Sequence, residues 1–231
     1  MIKKLVIYCI LTVVMSSAMY AKQSTKVNAK TDYKVTVVPK KMSVQTKKQR
    51  FRDLVVPVVI KVYADLEAQY QEAKEIIDSG KTDIKIEKYM STYGTKNPNE
   101  LLKRMKPHAK SIAIAQAAME SAWATSRFTR VAKNLFGVWS FKSREPRVAA
   151  GVRRGDKTIY VRKYESIEES VRDYYKVLAT KPAFTSFRTE KMKSNNPYKL
   201  AKNLDKYSEK GALYGKELTS MIKYNRFYKF D

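Results

Sequence analysis

Residues 111–123, SIAIAQAAMESAW, are apolar or small on almost every side. A helix of that composition offers no polar face to water, so it must run through the centre of the fold with other elements wrapped around it. Glu120 lies near its end, among Ala117, Ala118, Met119, Ala122 and Trp123. A carboxylate in apolar surroundings favours its neutral form, and its pKa rises. A neutral carboxylic acid near pH 7 is what general acid catalysis needs. The alternative is a Glu whose head reaches water or pairs with one of the many Lys and Arg residues.

The flanking sequence predicts a mainly α chain with one small β lobe. Phe51, Leu54, Val55, Val58, Val59, Val62, Leu66 and Tyr70 recur at spacings of three and four, a helix stripe with Pro57 as a kink near its start. Ser79-Gly80 ends it. Residues 84–93 read as a short helix closed by Gly94, and Asn97-Pro98 starts another. In 151–164 the period changes to two, with Arg154-Gly155-Asp156 as turn chemistry, which predicts a β-hairpin. Ser166 with Glu169 three residues on is a capping-box start for a helix reaching Thr180, whose Tyr174, Tyr175 and Leu178 are core. Residues 199–204 and 216–224 read as further helices.

Charge and residue usage narrow the chemistry. The 231 residues carry 47 Lys and Arg against 22 Asp and Glu, a net charge of +25, which points to a polyanionic partner or an anionic surface. One His and one Cys exclude a disulfide framework and a zinc site built on several histidines. His108, just ahead of the apolar run, reads as a surface or first-turn residue. No metal or cofactor motif is visible. Residues 1–21, with Lys3, Lys4 and the apolar run 5–15, read as a signal peptide, an uncleaved anchor being the alternative. The protein is therefore expected to be exported, periplasmic or extracellular, and membrane-tethered if the signal stays. Residues 22–50 read as a basic, disordered linker, and 51–231 as the folded domain with an N-terminal helical extension. Export turns the charge toward wall or phospholipid head groups rather than nucleic acid, and the chain is expected to be a monomer.

Glu120-Ser121-Ala122-Trp123-Ala124-Thr125-Ser126 and Asn134-Leu135-Phe136-Gly137 resemble the glucosaminidase domain of bacterial cell-wall hydrolases, glycoside hydrolase family 73. Tyr164-Glu165-Ser166 with Ser170, and 206–211 with Tyr214, keep the family order. Lys47–Phe51 and 221–225 resemble its Bax-type branch. The family usually has Gly where Ala124 stands. The resemblance covers about 47–231.

The resemblance implies a lysozyme-like helical bundle with a β-hairpin lobe beside a cleft. It implies an exported endo-β-N-acetylglucosaminidase acting on peptidoglycan glycan strands, with Glu120 as the catalytic acid. The second group would be Glu145 ahead of the hairpin, Asp156 in its turn, or the substrate's own N-acetyl group. Tyr214 matches a late family tyrosine of the catalytic site, the alternative being a core tyrosine. Trp123, Phe136 and Trp139 are candidates to stack on sugar rings, with core packing the stronger reading for Trp123. Asn134 either orients substrate or caps a turn. A lytic transglycosylase or muramidase on the same scaffold, or a non-catalytic wall-binding module, remains as an alternative.

Overall fold

The structure, a computed structural model, describes residues 33–231 apart from 82, 155 and 156, and only the backbone of 152–154. The expected signal peptide and Asp156 lie outside the described residues. Helices α1 (Val44–Asp78), α2 (Ile84–Tyr93), α3 (Pro98–Met105), α4 (Lys110–Glu120) and α5 (Arg127–Ala132) come first. The antiparallel hairpin β1 (Arg147–Arg154) and β2 (Lys157–Arg162) follows. Helices α6 (Ile167–Thr180), α7 (Thr185–Lys193), α8 (Pro197–Ala201) and α9 (Ala212–Tyr224) complete the order, with short 3-10 turns at Pro182–Phe184, Asp205–Tyr207 and Phe227–Phe230. This is the helical bundle with a small two-stranded lobe that the sequence predicts.

Helix α4 is the hub. Residues 112–118 are buried, and the helix packs on α1, α8, α9 and the closing turn 227–230. Its N-cap, Ala109, has no side chain able to accept a hydrogen bond. Asp231 takes that place: its carboxylate accepts from Ser111 N at 2.8 Å and Ser111 Oγ at 2.6 Å. The anion satisfies an orphan N–H and sits at the positive end of the helix dipole. Helix α4 stops at Glu120 instead of running on to Trp123, as expected from the apolar run. Ala122, Trp123 and Ala124 adopt left-handed φ angles of 51°, 66° and 57°. Such residues each cost about 1–2 kcal/mol, so the turn needs outside support. Ser121 supplies part of it, its Oγ donating to Ala117 O and accepting from Ala124 N at 2.7 Å. Ser126 then caps α5 by accepting from Thr129 N at 3.2 Å.

The remaining support corrects the linker boundary. Helix α1 begins at Val44, seven residues before Phe51, and continues through Pro57. Arg50 is fully buried and is an anchor. Its Nη1 donates to Ala124 O at 2.9 Å, and its Nη2 donates to Lys34 O and Val37 O, each at 2.9 Å. One guanidinium thus ties residues 34–37 to the turn after Glu120.

Several local predictions hold. Asn97 and Ser166 cap α3 and α6, and Gly94 closes α2 in the left-handed region. The hairpin pairs Arg147 with Arg162 and Arg154 with Lys157, with an irregularity between Ala149 and Arg153. Helix α9 begins four residues earlier than expected, and α7 is an element the periodicity missed. His108 is corrected: it is buried, with rings of Tyr175 at 4.5 Å and Phe187 at 5.3 Å packed around it, because those aromatics from α6 and α7 close over it.

Candidate active site

Glu120, as the last residue of α4, carries its carboxylate to the edge of the buried helix. It opens onto a cleft of about 590 Å³ between the helical body and the hairpin, within the usual size range of ligand sites. By area Glu120 is exposed, because it faces the cleft. The protein crowded around it still displaces enough water to push its carboxyl above the usual 4.5. Two contacts oppose that rise. Tyr214 Oη donates to Glu120 Oε1 at 2.9 Å, and the charge of Lys210 attracts the carboxylate. Gln116, one turn earlier on α4, donates from Nε2 to Tyr214 Oη at 2.8 Å. Tyr207 stacks on Tyr214 with ring centroids 5.3 Å apart and also lines the cleft. Glu120 therefore holds its proton more readily than an ordinary carboxylic acid and faces open space.

The aromatic residues divide by position. Phe136 lines the cleft but is almost wholly buried, stacked on Tyr174 at 4.0 Å and 11°. It forms a wall rather than a platform. Trp139 is 40% exposed on the hairpin side of the cleft, bridged to β2 at Val161 and near the exposed Phe141. Its indole is placed to meet a ring entering the cleft. Trp123 does not line the Glu120 cleft. It packs edge-on against Phe51 at 5.3 Å and near Phe227 at 6.1 Å, and it lines a separate depression with Met119 and Tyr224. The left-handed turn swings it away from the Glu120 cleft.

Asn134 is held in a turn, one of its two readings from sequence. It is buried, and its Nδ2 donates to Val138 O at 3.0 Å and Arg162 O at 2.9 Å, while Oδ1 accepts from Val138 N at 3.1 Å. The side chain closes the Asn-Leu-Phe-Gly turn and ties it to β2. All its strong contacts are spent on backbone.

Glu145 does not line the cleft. It lies against Arg162 at 3.6 Å, with Ser140 and the backbone of Lys142 nearby. Its hydrogen bond to Ser140, aided by Arg162 and Lys142, holds its carboxyl below the usual range. Arg162 itself is bound by Asp173 of α6 at 2.7 and 2.9 Å, and Tyr164 Oη donates to the same carboxylate at 2.6 Å. This cluster fastens the hairpin to the helical body. Among the described residues that line the cleft, Glu120 is the one carboxylate. Among the described residues no group of three or more His, Cys, Asp or Glu side chains could hold a metal ion.

Tyr214 is hydrogen-bonded to Glu120, but it is buried and outside the cleft lining, so it meets the cleft only by way of Glu120. Gln116 and the Arg162–Asp173 pair were not singled out from sequence, and Tyr207 entered only as part of the 206–211 motif. Gln116 had a usable signal, as the lone polar side chain between Ile112 and Met119.

One acid raised by its surroundings, set at the end of a buried helix and facing an aromatic cleft beside a hairpin, defines the class as a glycoside hydrolase domain. The chain belongs to the glucosaminidase family, described as mannosyl-glycoprotein endo-beta-N-acetylglucosaminidase, which matches residues 95–227. It is 31% identical over 134 residues to Protein bax of Escherichia coli (strain K12), covering 55% of this chain and 47% of that protein. The chain thus spans about half the length of that relative. Among solved structures it is similar to the catalytic domain of the autolysin Auto (Lmo1076) from Listeria monocytogenes, at 19% identity and a TM-score of 0.48, covering 83% of this chain and 92% of that one. It is also similar to a peptidoglycan hydrolase from Sphingomonas sp. A1, at 18% identity and a TM-score of 0.44, covering 62% and 84%. A C-terminally truncated glycoside hydrolase domain of FlgJ from Salmonella typhimurium is 20% identical with a TM-score of 0.40, covering 60% and 96%.

Proposed function

We propose that this protein is an exported endo-β-N-acetylglucosaminidase that cleaves peptidoglycan glycan strands, with Glu120 as the general acid. The observation that carries the reading is Glu120 itself: an acid with a raised pKa, hydrogen-bonded by Tyr214 and open to the cleft. Its proton passes to the glycosidic oxygen as the bond to the anomeric carbon breaks, and the leaving sugar departs as a neutral alcohol. Oxocarbenium character develops on the other sugar. With Glu120 the one cleft carboxylate among the described residues, the substrate's N-acetyl oxygen is the nucleophile this geometry favours, and water then opens the intermediate. Asp156 is the remaining protein candidate for that role. The basic surface would hold the enzyme against an anionic wall or membrane.

The same lone acid favours one second reading, a lytic transglycosylase, in which the substrate's own hydroxyl closes an anhydro ring. Mass spectrometry of soluble products from purified peptidoglycan, with Glu120→Gln run beside the wild type, separates the two. Reducing N-acetylglucosamine ends, absent from the variant, support the glucosaminidase. Anhydro N-acetylmuramic ends support the second reading. No fragments from either protein would sink both.

A further inference from the structure

Four buried side chains lead from the core to Glu120. His108 Nε2 lies 3.0 Å from Tyr174 Oη, and Tyr174 Oη donates to Gln116 Oε1 at 2.6 Å. Gln116 Nε2 donates to Tyr214 Oη at 2.8 Å, and Tyr214 Oη donates to Glu120 Oε1 at 2.9 Å. None of the four is more than 2% exposed.

A hydroxyl has one proton to give. Tyr174 spends its proton on Gln116, so His108 Nε2 must be the donor in their contact. Burial keeps that imidazole neutral, pushing its pKa well below the usual value. With its Oε1 occupied, Gln116 can present only N–H to Tyr214. Tyr214, already accepting, can turn its proton only toward Glu120. Every donor in the row points the same way, and the direction is decided two residues away from the acid.

We infer that Tyr174 and Gln116 are positioning residues that fix the hydrogen-bond polarity at Glu120. The inference rests on the reading of Glu120 as the acid. With Oε1 engaged by Tyr214, the proton of the neutral acid resides on Oε2, the oxygen left for the cleft. A core network serving packing alone would tolerate either polarity. This one does not, because loss of the Tyr174 hydroxyl frees Gln116 Oε1 to take the Tyr214 proton, and Glu120 then loses its donor. The other groups facing Glu120 are Tyr207 and Lys210.

The test is a ¹³C NMR titration of the Glu120 carboxyl in the full chain, which needs no substrate. Tyr174→Phe keeps the ring stacked on Phe136 and removes only the hydroxyl. Loss of a donor to the charged form should raise the Glu120 midpoint by about one unit. Gln116→Glu, which accepts from both tyrosines, should raise it further. The alkaline limb of glycan cleavage should move up by the same amount, with KM unchanged. An unmoved midpoint in folded Tyr174→Phe overturns the inference, and Gln116→Glu decides it should Tyr174→Phe not fold. A shifted midpoint in a protein that cuts no glycan would keep the polarity and remove the catalytic reading instead.

Discussion

Tyr214 Oη donates to Glu120 Oε1 at 2.9 Å, across 94 residues of sequence. The bond joins α9 to the end of α4 at the point where the cleft opens. It offsets part of the burial cost of the carboxylate and fixes which of its oxygens faces the cleft.

Glu120→Gln keeps the shape and loses the proton. Glycan cleavage should fall by about 10²- to 10⁴-fold with the fold intact. Release of new reducing ends, read beside circular dichroism, checks it. Retained cleavage by a well-folded variant would remove Glu120 from the mechanism.

The pH dependence follows from burial. In the proposed mechanism Glu120 must carry its proton to act, and burial raises its pKa above 4.5, so cleavage should decline as pH climbs through that raised value. Lys210 attracts the charged form, and it is held by Glu217 at 2.8 Å. Lys210→Met should therefore move the alkaline limb to higher pH. Stability has the same sign. The preference for the protonated form is fully present below 4.5 and lost as pH rises through the folded pKa. Glu120→Gln should gain stability relative to wild type over that window, modestly, since the side chain faces water. Melting curves across the window check this.

The two tryptophans should separate cleanly. Trp123→Ala empties a site between Phe51 and Phe227 and should cost about 3 kcal/mol or more of stability. Trp139→Ala should leave stability within about 1 kcal/mol. It should instead raise KM roughly fivefold to tenfold through lost stacking. Urea melts and Michaelis kinetics distinguish them, and the reverse pattern would refute the assignment.

Asn134→Ala strands Val138 N and two carbonyls in a buried turn. It should cost about 2–4 kcal/mol, read as a lower urea midpoint. Any loss of activity should follow from the weakened hairpin attachment, with KM unaffected in the protein that remains folded.

Gly215→Ala tests the packing under Tyr214. A Cβ there would lie 2.6 Å from the Ala201 carbonyl oxygen, so α8 and α9 must separate. Overpacking of this kind costs about 1–3 kcal/mol. Since Tyr214 is the neighbouring residue, cleavage should drop along with the melting temperature. An unchanged melting temperature would show that the α8–α9 contact yields freely.

Local elements were legible where their signals are local. Asn97 and Ser166 cap helices through their own side chains, Gly94 takes the left-handed position no β-branched residue would accept, and the 151–164 alternation made a hairpin. Elements held from afar were not. The linker boundary missed Val44–Arg50 because those residues gain their place from Arg50 reaching Ala124, 74 residues away. His108 looked like a surface residue until Tyr174 and Phe187 closed over it.

By itself the sequence determined that the run 111–123 makes a buried helix with an acid near its end, because a run without a polar face has only one stable environment; the stop at Glu120 was set by the left-handed turn that follows. It also determined the mainly helical body and the single hairpin. The tertiary structure alone decided what meets that acid. It brought Tyr214 and Gln116 to Glu120, left Glu145 against Arg162, turned Trp123 into the core and set Trp139 on the cleft. The reason is that hydrogen bonds and ring contacts act over a few ångströms, while the residues that make them lie far apart along the chain. Only the packed fold selects which of many equivalent tyrosines and carboxylates come within reach.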